Sequence, residues 1–108
     1  MVEEKALEKI LQTAVKTGKY VAGLKEVSHS LKGSRLVIYS TALPEKKVSK
    51  IIEGCRALSV PFFPYEGSTI RLGRICGKPF RISALAVKSP GEADLTPILE
   101  SLQETPAS

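Results

Sequence analysis

The chain has 108 residues, of which 43% are hydrophobic and 25% charged, and its formal net charge at pH 7 is +5. This is ordinary globular usage, so it excludes a collagen-like, low-complexity or fully disordered protein, and we predict one domain over residues 1–104 with a frayed tail at 105–108. No stretch approaches the roughly 18 apolar residues of a membrane helix, and the start, MVEEKALEK, is unlike a secretory signal, so we expect a cytoplasmic protein without a membrane partner.

The first half of the chain predicts two helices and two strands. Apolar residues at three- and four-residue spacing indicate a first helix that ends at Gly18, and residues 20–22 are typical of a short strand. A second helix is predicted from Leu24, with one apolar stripe, and it ends at Gly33. The continuous apolar run at 36–39 indicates a strand that is buried on both faces.

The second half continues the alternation of helices and strands. Pro44 marks the start of a third helix, and residues 62–63 form a strand that Pro61 and Pro64 place near a sheet edge. Ser68 or Thr69 is predicted to cap a short helix that runs to Ile75. A last strand at 82–87 and a final helix through Leu95, Ile98, Leu99 and Leu102 complete the pattern. The fold class is therefore α/β, and we predict a three-layer α/β/α sandwich with a four-stranded mixed sheet and about five helices.

The sequence offers little for catalysis. Cys55, Cys76 and His29 are too few for a zinc site of the usual kind, and both cysteines are expected to be buried. The segment GRICGKPF lacks the glycine spacing and the Ser or Thr of a phosphate-binding loop, and neither G-x-G-x-x-G nor G-x-S-x-G occurs. The groups around His29 are sequence neighbours on a helix and cannot converge as a triad. We therefore predict no enzyme, no catalytic residue, no metal and no cofactor.

Positive charge is concentrated in two windows of the sequence. Residues 16–35 hold five basic residues against one acid, residues 67–88 hold five basic residues and no acid, and the acidic residues after Ser89 are expected to lie away from both. Clustered Lys and Arg favour a polyanionic partner, because they release counterions when they neutralise phosphates. A basic surface that serves only solubility is the open alternative.

The outward face of the second helix carries part of this charge. Lys25, His29 and Lys32 follow one another at i, i+4 and i+7, opposite the apolar stripe. Gly23 at the helix entrance leaves room for a close approach, and the first N–H groups of the helix are free to meet a phosphate or a base edge. An ordinary solvated face with a glycine cap is the alternative.

Three stretches resemble a known family: GKYVAGLKEVSHSLKGSRLVIYSTALP, PYEGSTIRLGRICGKPFRISALAV and SPGEADL. In this order and spacing they are similar to the kink-turn-binding family of archaeal and eukaryotic ribosomal proteins, in particular to its large-subunit branch, over about Gly18 to Leu95. The resemblance implies an α/β/α sandwich and an RNA site built from two separated segments. The first segment lies at tandem sheared G·A pairs of a bent RNA and corresponds here to Gly23, Leu24, Lys25 and Glu26, followed by His29. The second corresponds to Phe80, Arg81, Ile82 and Ser83.

The resemblance also implies roles for these residues. Lys25 donates to guanine O6 or N7, Glu26 accepts from base amino groups, and Phe80 stacks on an extruded base for about 1 to 3 kcal/mol; core packing is the alternative for Phe80. Phosphate contacts are expected from Lys16, Lys19, Lys32, Arg35 and Lys78. The chain departs from the family pattern at three places: at His29, where lysine is common, at Arg71, where glutamate is common, and at Thr41 and Ala42, where asparagine is common.

The implied function is that of a structural constituent of the large ribosomal subunit, located on the ribosome in the cytoplasm. Its partners are ribosomal RNA and neighbouring ribosomal proteins, and we expect a monomer when it is free. Two alternatives remain open. The chain can be a kink-turn-binding subunit of a small guide-RNA or RNA-processing particle, or a protein-interaction or small-ligand module, since fold alone does not fix function.

Overall fold

The structure is a computed structural model that describes residues 4–89 and 91–99. Its elements are α1 (Glu4–Thr17), β1 (Lys19–Ala22), α2 (Leu24–His29), β2 (Leu36–Ser40), α3 (Glu45–Ala57), β3 (Phe62–Tyr65), α4 (Thr69–Ile75) and β4 (Ala84–Ser89). A fifth helix, α5, begins at residue 96 and is described to residue 99. This alternation of helices and strands confirms the predicted α/β fold class.

The four strands form one mixed sheet in the order β1-β4-β2-β3. β2 and β3 are parallel, whereas β4 is antiparallel to both of its neighbours, β1 and β2. β3 lies at an edge, as predicted from its prolines, and Pro64 within it is exposed. An edge position tolerates proline because one side of the strand makes no ladder bonds.

Helices cover both faces of the sheet, which confirms the three-layer sandwich. Leu36 and Ile38 of β2 pack into one core with α1, α4 and α5, while Val37 and Tyr39 pack into a second core with α2 and α3. This separation follows from the alternation of side chains along a strand. All five residues of β2 are buried, as its continuous apolar run predicted.

Several element boundaries differ from the prediction, and two of them affect the predicted site. β4 begins at Ala84, two residues later than predicted, because the N–H of Ile82 donates to the carbonyl of Thr69 in α4 at 3.0 Å. α2 ends at His29, and therefore Lys32 is not part of the helix. The predicted helical stripe of Lys25, His29 and Lys32 is thus wrong at its third member.

The end of the chain is only partly described. Asp94 Oδ1 accepts a hydrogen bond from the N–H of Thr96 at 3.0 Å, next to the start of α5. Hydrogen bonds from Thr96 lower the pKa of the Asp94 carboxyl below its usual value. Leu95 and Ile98 are buried, as predicted for the inward stripe, while Leu102 and the predicted tail at 105–108 lie outside the described residues.

The strand directions give the sheet two distinct ends. At the Gly23 end, β1, β2 and β3 finish, β4 begins, and the helices α2, α3 and α4 start. At the Lys19 end, β1, β2 and β3 begin and β4 finishes. Since β2 has five residues that each rise about 3.3 Å, the two ends are roughly 15 Å apart.

Candidate nucleic-acid interface

The two predicted RNA-binding segments, residues 23–26 and residues 80–83, meet at the Gly23 end. The N–H of Gly23 donates to the carbonyl of Ala84 at 2.9 Å, and the N–H of Ser40 donates to the carbonyl of Ser83 at 3.0 Å. Because residues 80–83 lead directly into β4, these two bonds join segments that are almost sixty positions apart in sequence to one end of the sheet. The structure therefore brings the predicted segments together.

The start of α2 requires a glycine, but the room that Gly23 was expected to leave for a partner is taken by Glu26. Gly23 has φ 107° and ψ 146°, a conformation that residues with a side chain rarely adopt, and the Glu26 carboxylate occupies the space that a Cβ on Gly23 would need. Lys25 and Glu26 are exposed, while Val27 is fully buried and fixes the helix on the sheet. The first turn thus presents its backbone donors beside one exposed cation and one exposed carboxylate.

Phe80 lies in a surface groove and not in the core. Its side chain is 53% exposed, as is that of Ile70 on α4. The groove is lined by Ile70, Arg74, Lys78, Pro79, Phe80 and Arg81. The groove thus combines two exposed apolar side chains with three basic residues. The apolar side chains can cover the flat face of a base, while the basic residues can contact the phosphates next to it.

Sequence reasoning missed Ile70 and Arg74. The available signal was the position of Ile70 in a short helix whose buried residues are Leu72, Gly73 and Ile75, which leaves an isoleucine outside the apolar stripe. Gly73 explains why residues 80–83 lie so close to this helix, since a Cβ at Gly73 would collide with the Phe80 carbonyl. The predicted cap of α4 is confirmed at Ser68, whose Oγ accepts from the N–H of Arg71 at 3.1 Å.

Three predicted contact residues make contacts within the protein. Ile82 is 1% exposed and belongs to the core, so its side chain is not available to RNA, and this part of the predicted site is corrected. Lys78 is half-buried, and its Nζ lies 5.4 Å from the centroid of the Tyr20 ring. Ser83 is also half-buried, and its carbonyl accepts the Ser40 hydrogen bond.

The loop after β2 is braced at the same end of the sheet. The buried Ser40 Oγ donates to the carbonyl of Gly67 and accepts from the N–H of Ala42 at 3.2 Å. The N–H of Thr41 donates to the carbonyl of Tyr65 at 2.9 Å. Thr41 and Ala42, the positions that depart from the family pattern, are therefore exposed on a loop with a fixed backbone.

Other predicted phosphate-binding residues lie at the opposite end. Lys19 is paired with Ser89 at the finish of β4, and the N–H of Arg35 donates to the carbonyl of Val87 at 2.7 Å. Lys16 is in the last turn of α1, and the carbonyl of Lys32 accepts a bond from Lys88. Lys16, Lys19, Lys32 and Arg35 are thus separated from residues 23–26 by the length of the sheet, and their phosphate contacts stay a prediction.

The acidic residues after Ser89 also differ in part from the prediction. The N–H of Glu92 donates to Thr17 Oγ1 at 3.0 Å, beside the last turn of α1. Glu92 and Lys16 line the same shallow groove along α1. One acid therefore does lie next to the basic residues of the Lys19 end.

Both cysteines are buried, and neither thiol is activated. Burial raises the pKa of the Cys55 thiol to about 11 and that of the Cys76 thiol to about 12, so both thiols are protonated near neutral pH. Ser28 Oγ donates to the carbonyl of Leu24 at 2.8 Å. Within residues 4–89 and 91–99, no group of three His, Cys, Asp or Glu residues could hold a metal ion, and no helix is long and apolar enough to cross a membrane.

Comparison with known proteins identifies the family of the chain. The model of the ribosomal protein L7Ae/L30e/S12e/Gadd45 family matches residues 5–96. The large ribosomal subunit protein eL30 of Methanothrix thermoacetophila is 35% identical over 99 residues, which cover 90% of this chain and 92% of the relative. The eL30 proteins of Methanosphaera stadtmanae and Branchiostoma belcheri are each 36% identical, over 87% and 86% of this chain and 98% and 86% of the relative. The resemblance seen in the sequence is confirmed: the chain belongs to the ribosomal protein L7Ae/L30e/S12e/Gadd45 family.

Proposed function

We propose that this protein is a structural constituent of the large ribosomal subunit that binds and stabilises a kink-turn-like bend in ribosomal RNA. Its place is then the ribosome in the cytoplasm, where neighbouring ribosomal proteins are further partners, and the free protein is a monomer. The relatives support the subunit, since each is named as a large-subunit protein and matches this chain over most of its length. The observation that carries the RNA-binding part is the hydrogen bond from Gly23 to Ala84, which holds the exposed Lys25 and Phe80 segments at one end of the sheet.

The start of α2 is the part of the protein that recognises the bent RNA. A regular A-form helix has a deep and narrow major groove that side chains cannot enter, whereas a kinked RNA with sheared G·A pairs opens that groove. Gly23 brings the Glu26 carboxylate against the entrance of the helix, Lys25 supplies a donor for guanine, and the Glu26 carboxylate accepts from exposed amino groups. The protein therefore selects the shape of the RNA more than its sequence.

The groove beside α4 receives the base that leaves the stack at the bend. The ring of Phe80 and the side chain of Ile70 are both about half exposed and supply its apolar walls. Stacking of a base on an aromatic ring contributes about 1 to 3 kcal/mol. Arg74 and Arg81, both exposed beside these walls, contact the phosphates on either side of the extruded base.

A gel-shift comparison tests this proposal. A kink-turn RNA is compared with the same sequence after its G·A pairs have been replaced by Watson–Crick pairs, at two salt concentrations. We expect the parent to prefer the kinked RNA, and Lys25→Ala and Phe80→Ala each to weaken only that binding, by about 1 to 3 kcal/mol. Lys50→Ala, which removes an exposed lysine from α3, is the matched control and leaves the preference unchanged.

Two results would contradict the proposal. If Lys25→Ala and Phe80→Ala both bound the kinked RNA like the parent, the two-segment site would be wrong. If the native protein co-purified with small guide RNAs and not with large subunits, the place of the protein would be a guide-RNA particle instead of the ribosome.

A further inference from the structure

We propose that the Lys19 end of the sheet is a second RNA-binding surface, which holds the phosphate backbone of an RNA duplex other than the kinked one. The basic surface meant here consists of Lys19, Lys32 and Arg35, with Lys16 at its margin, and all four side chains are exposed. This inference rests on the proposed function for one point only, which is that the partner is RNA. The protein would then join two RNA segments, one at each end of its sheet.

The topology brings these cations together from separate elements. Lys19 lies opposite Ser89 on one side of β4, and Arg35 bonds to the carbonyl of Val87 on the other side. Since neighbouring strands are about 4.8 Å apart, the backbones of Lys19 and Arg35 are roughly 10 Å apart across β4. Long side chains at this separation can contact different phosphates of one duplex.

The loop that carries Lys32 and Arg35 is held in place by the protein itself. Lys88 Nζ donates to the carbonyl of Lys32 at 2.9 Å and also to the carbonyl of Ser30. Ser34, which is buried, donates from its Oγ to the same Ser30 carbonyl at 2.7 Å. Lys88 is half-buried and its ammonium is engaged with the loop, so it serves to order the outer cations, which lowers the entropic cost of binding.

The neighbouring acid limits the surface on one side. Glu92 lies beside Thr17 and lines a groove with Lys16, so negative charge stands at the α1 margin. This charge disfavours a polyanion over α1 and directs it toward Lys19, Lys32 and Arg35. Lys16 is accordingly expected to contribute least.

The chemistry of the surface favours RNA over a protein partner. Protein interfaces depend on central apolar or aromatic anchors, whereas a polyanion needs only spaced cations. Within the described residues, the exposed large apolar side chains are Leu58, Ile70 and Phe80. Ile70 and Phe80 are in the groove at the Gly23 end. Leu58 lies at the Lys19 end, but it precedes β3, which is at the sheet edge opposite to β1 and Lys19. The basic surface itself therefore has cations without an apolar anchor.

The test measures recruitment of a second RNA. A labelled, straight RNA duplex is titrated into the complex of the protein with unlabelled kink-turn RNA, at several salt concentrations. In the test variant Lys19, Lys32 and Arg35 are all changed to Gln; in the matched control Lys46, Lys47 and Lys50, three exposed lysines of α3, are changed to Gln. We expect the test variant to bind the duplex about tenfold less tightly than the control, with a salt slope smaller by about 2 to 3. Its affinity for the kink-turn RNA and its unfolding temperature should stay near those of the parent.

Several outcomes separate this inference from the proposed function. Equal recruitment of the duplex by the test variant and the α3 control would overturn the second surface. Polyglutamate that bound the basic surface as tightly as the duplex would overturn RNA as its occupant. A double variant with Lys25→Ala and Phe80→Ala that lost kink-turn binding but still bound the duplex through Lys19, Lys32 and Arg35 would support two independent sites. The second surface would likewise be supported if the parent failed to prefer the kinked RNA yet showed the same dependence on these three residues.

Discussion

The two ends of the sheet carry similar charge but offer different chemistry. At the Gly23 end, basic residues stand beside two half-exposed apolar side chains, Ile70 and Phe80, and a helix that begins on a glycine. At the Lys19 end, basic residues are mounted on strand ends and on a loop that Lys88 fixes. On the proposed function, we expect the first set to distinguish a kinked RNA from a straight one and the second to recognise only a row of phosphates. Positive charge alone therefore does not locate the selective site.

The largest expected effect comes from Gly73, which fixes one half of the Gly23 end. In Gly73→Ala the new Cβ meets the backbone carbonyl of Phe80, which cannot move without displacing residues 80–83. We expect a loss of about 3 kcal/mol in the free energy of unfolding, measured with urea, together with loss of kink-turn binding. Gly54→Ala is the control, because its Cβ meets only the end of the flexible Leu31 side chain. Equal stability of the two variants would refute the role given to Gly73.

A smaller effect is expected at the start of α2. Gly23→Ala places a side chain at φ 107° and against the Glu26 carboxylate, so we expect a loss of about 1 to 2 kcal/mol in stability and weaker binding of the kinked RNA. Gly33→Ala is the comparison beyond the C-terminal end of α2: its φ of 82° is also positive, but the space around its Cβ is open. It should lose about 1 kcal/mol in stability and keep its kink-turn affinity. A similar loss of affinity in both variants would remove the distinction between the two ends.

A further prediction concerns Lys88, which holds the loop after α2 in place at the Lys19 end. In Lys88→Met the carbonyls of Ser30 and Lys32 lose their charged donor, and we expect a loss of about 1 kcal/mol in the free energy of unfolding. The N–H of Ser34, which donates to the carbonyl of Leu31, should exchange its hydrogen faster, while kink-turn affinity stays unchanged. Lys50→Met on the exposed face of α3 is the control. If it lowered stability as much as Lys88→Met, the bracing role of Lys88 would be wrong.

The smallest effect is expected at Ile70. Ile70→Ser removes one apolar wall of the groove, and we expect about 0.7 kcal/mol weaker binding of the kinked RNA, or threefold in Kd. Leu58→Ser is a close match, since Leu58 is 47% exposed and Ile70 is 53% exposed, but Leu58 lies at the Lys19 end. It should not change this affinity. A threefold loss from Leu58→Ser, with none from Ile70→Ser, would contradict the assignment of the groove.

The features that the sequence predicted well are those with local causes. The run at 36–39 became a fully buried strand, Ser68 caps α4 through a bond three residues away, and the prolines around β3 marked an edge. Each follows from side-chain periodicity or from a nearby hydrogen bond. The same holds for the opening of α2 on Gly23.

The features that the sequence did not predict depend on distant contacts. The burial of Ile82 depends on its bond to Thr69, and the path of the loop after α2 depends on Lys88, more than fifty residues away. The basic residues of the window 16–35 are neighbours in sequence, but the chain runs from the Lys19 end to the Gly23 end along β1 and then returns through α2. Lys25 and Arg35 thus lie at opposite ends although they are ten residues apart. The strand directions show this, since β1 and β2 are both antiparallel to β4.

The most direct test of the central claim is a map of backbone amide chemical shifts with and without a kink-turn RNA whose flanking helices are short. We predict the largest changes in residues 23–26, residues 80–83 and the groove residues Ile70 and Arg74, with little change at Lys19 and Arg35. Changes concentrated at Lys19 and Arg35, with residues 23–26 and 80–83 unaffected, would contradict the account.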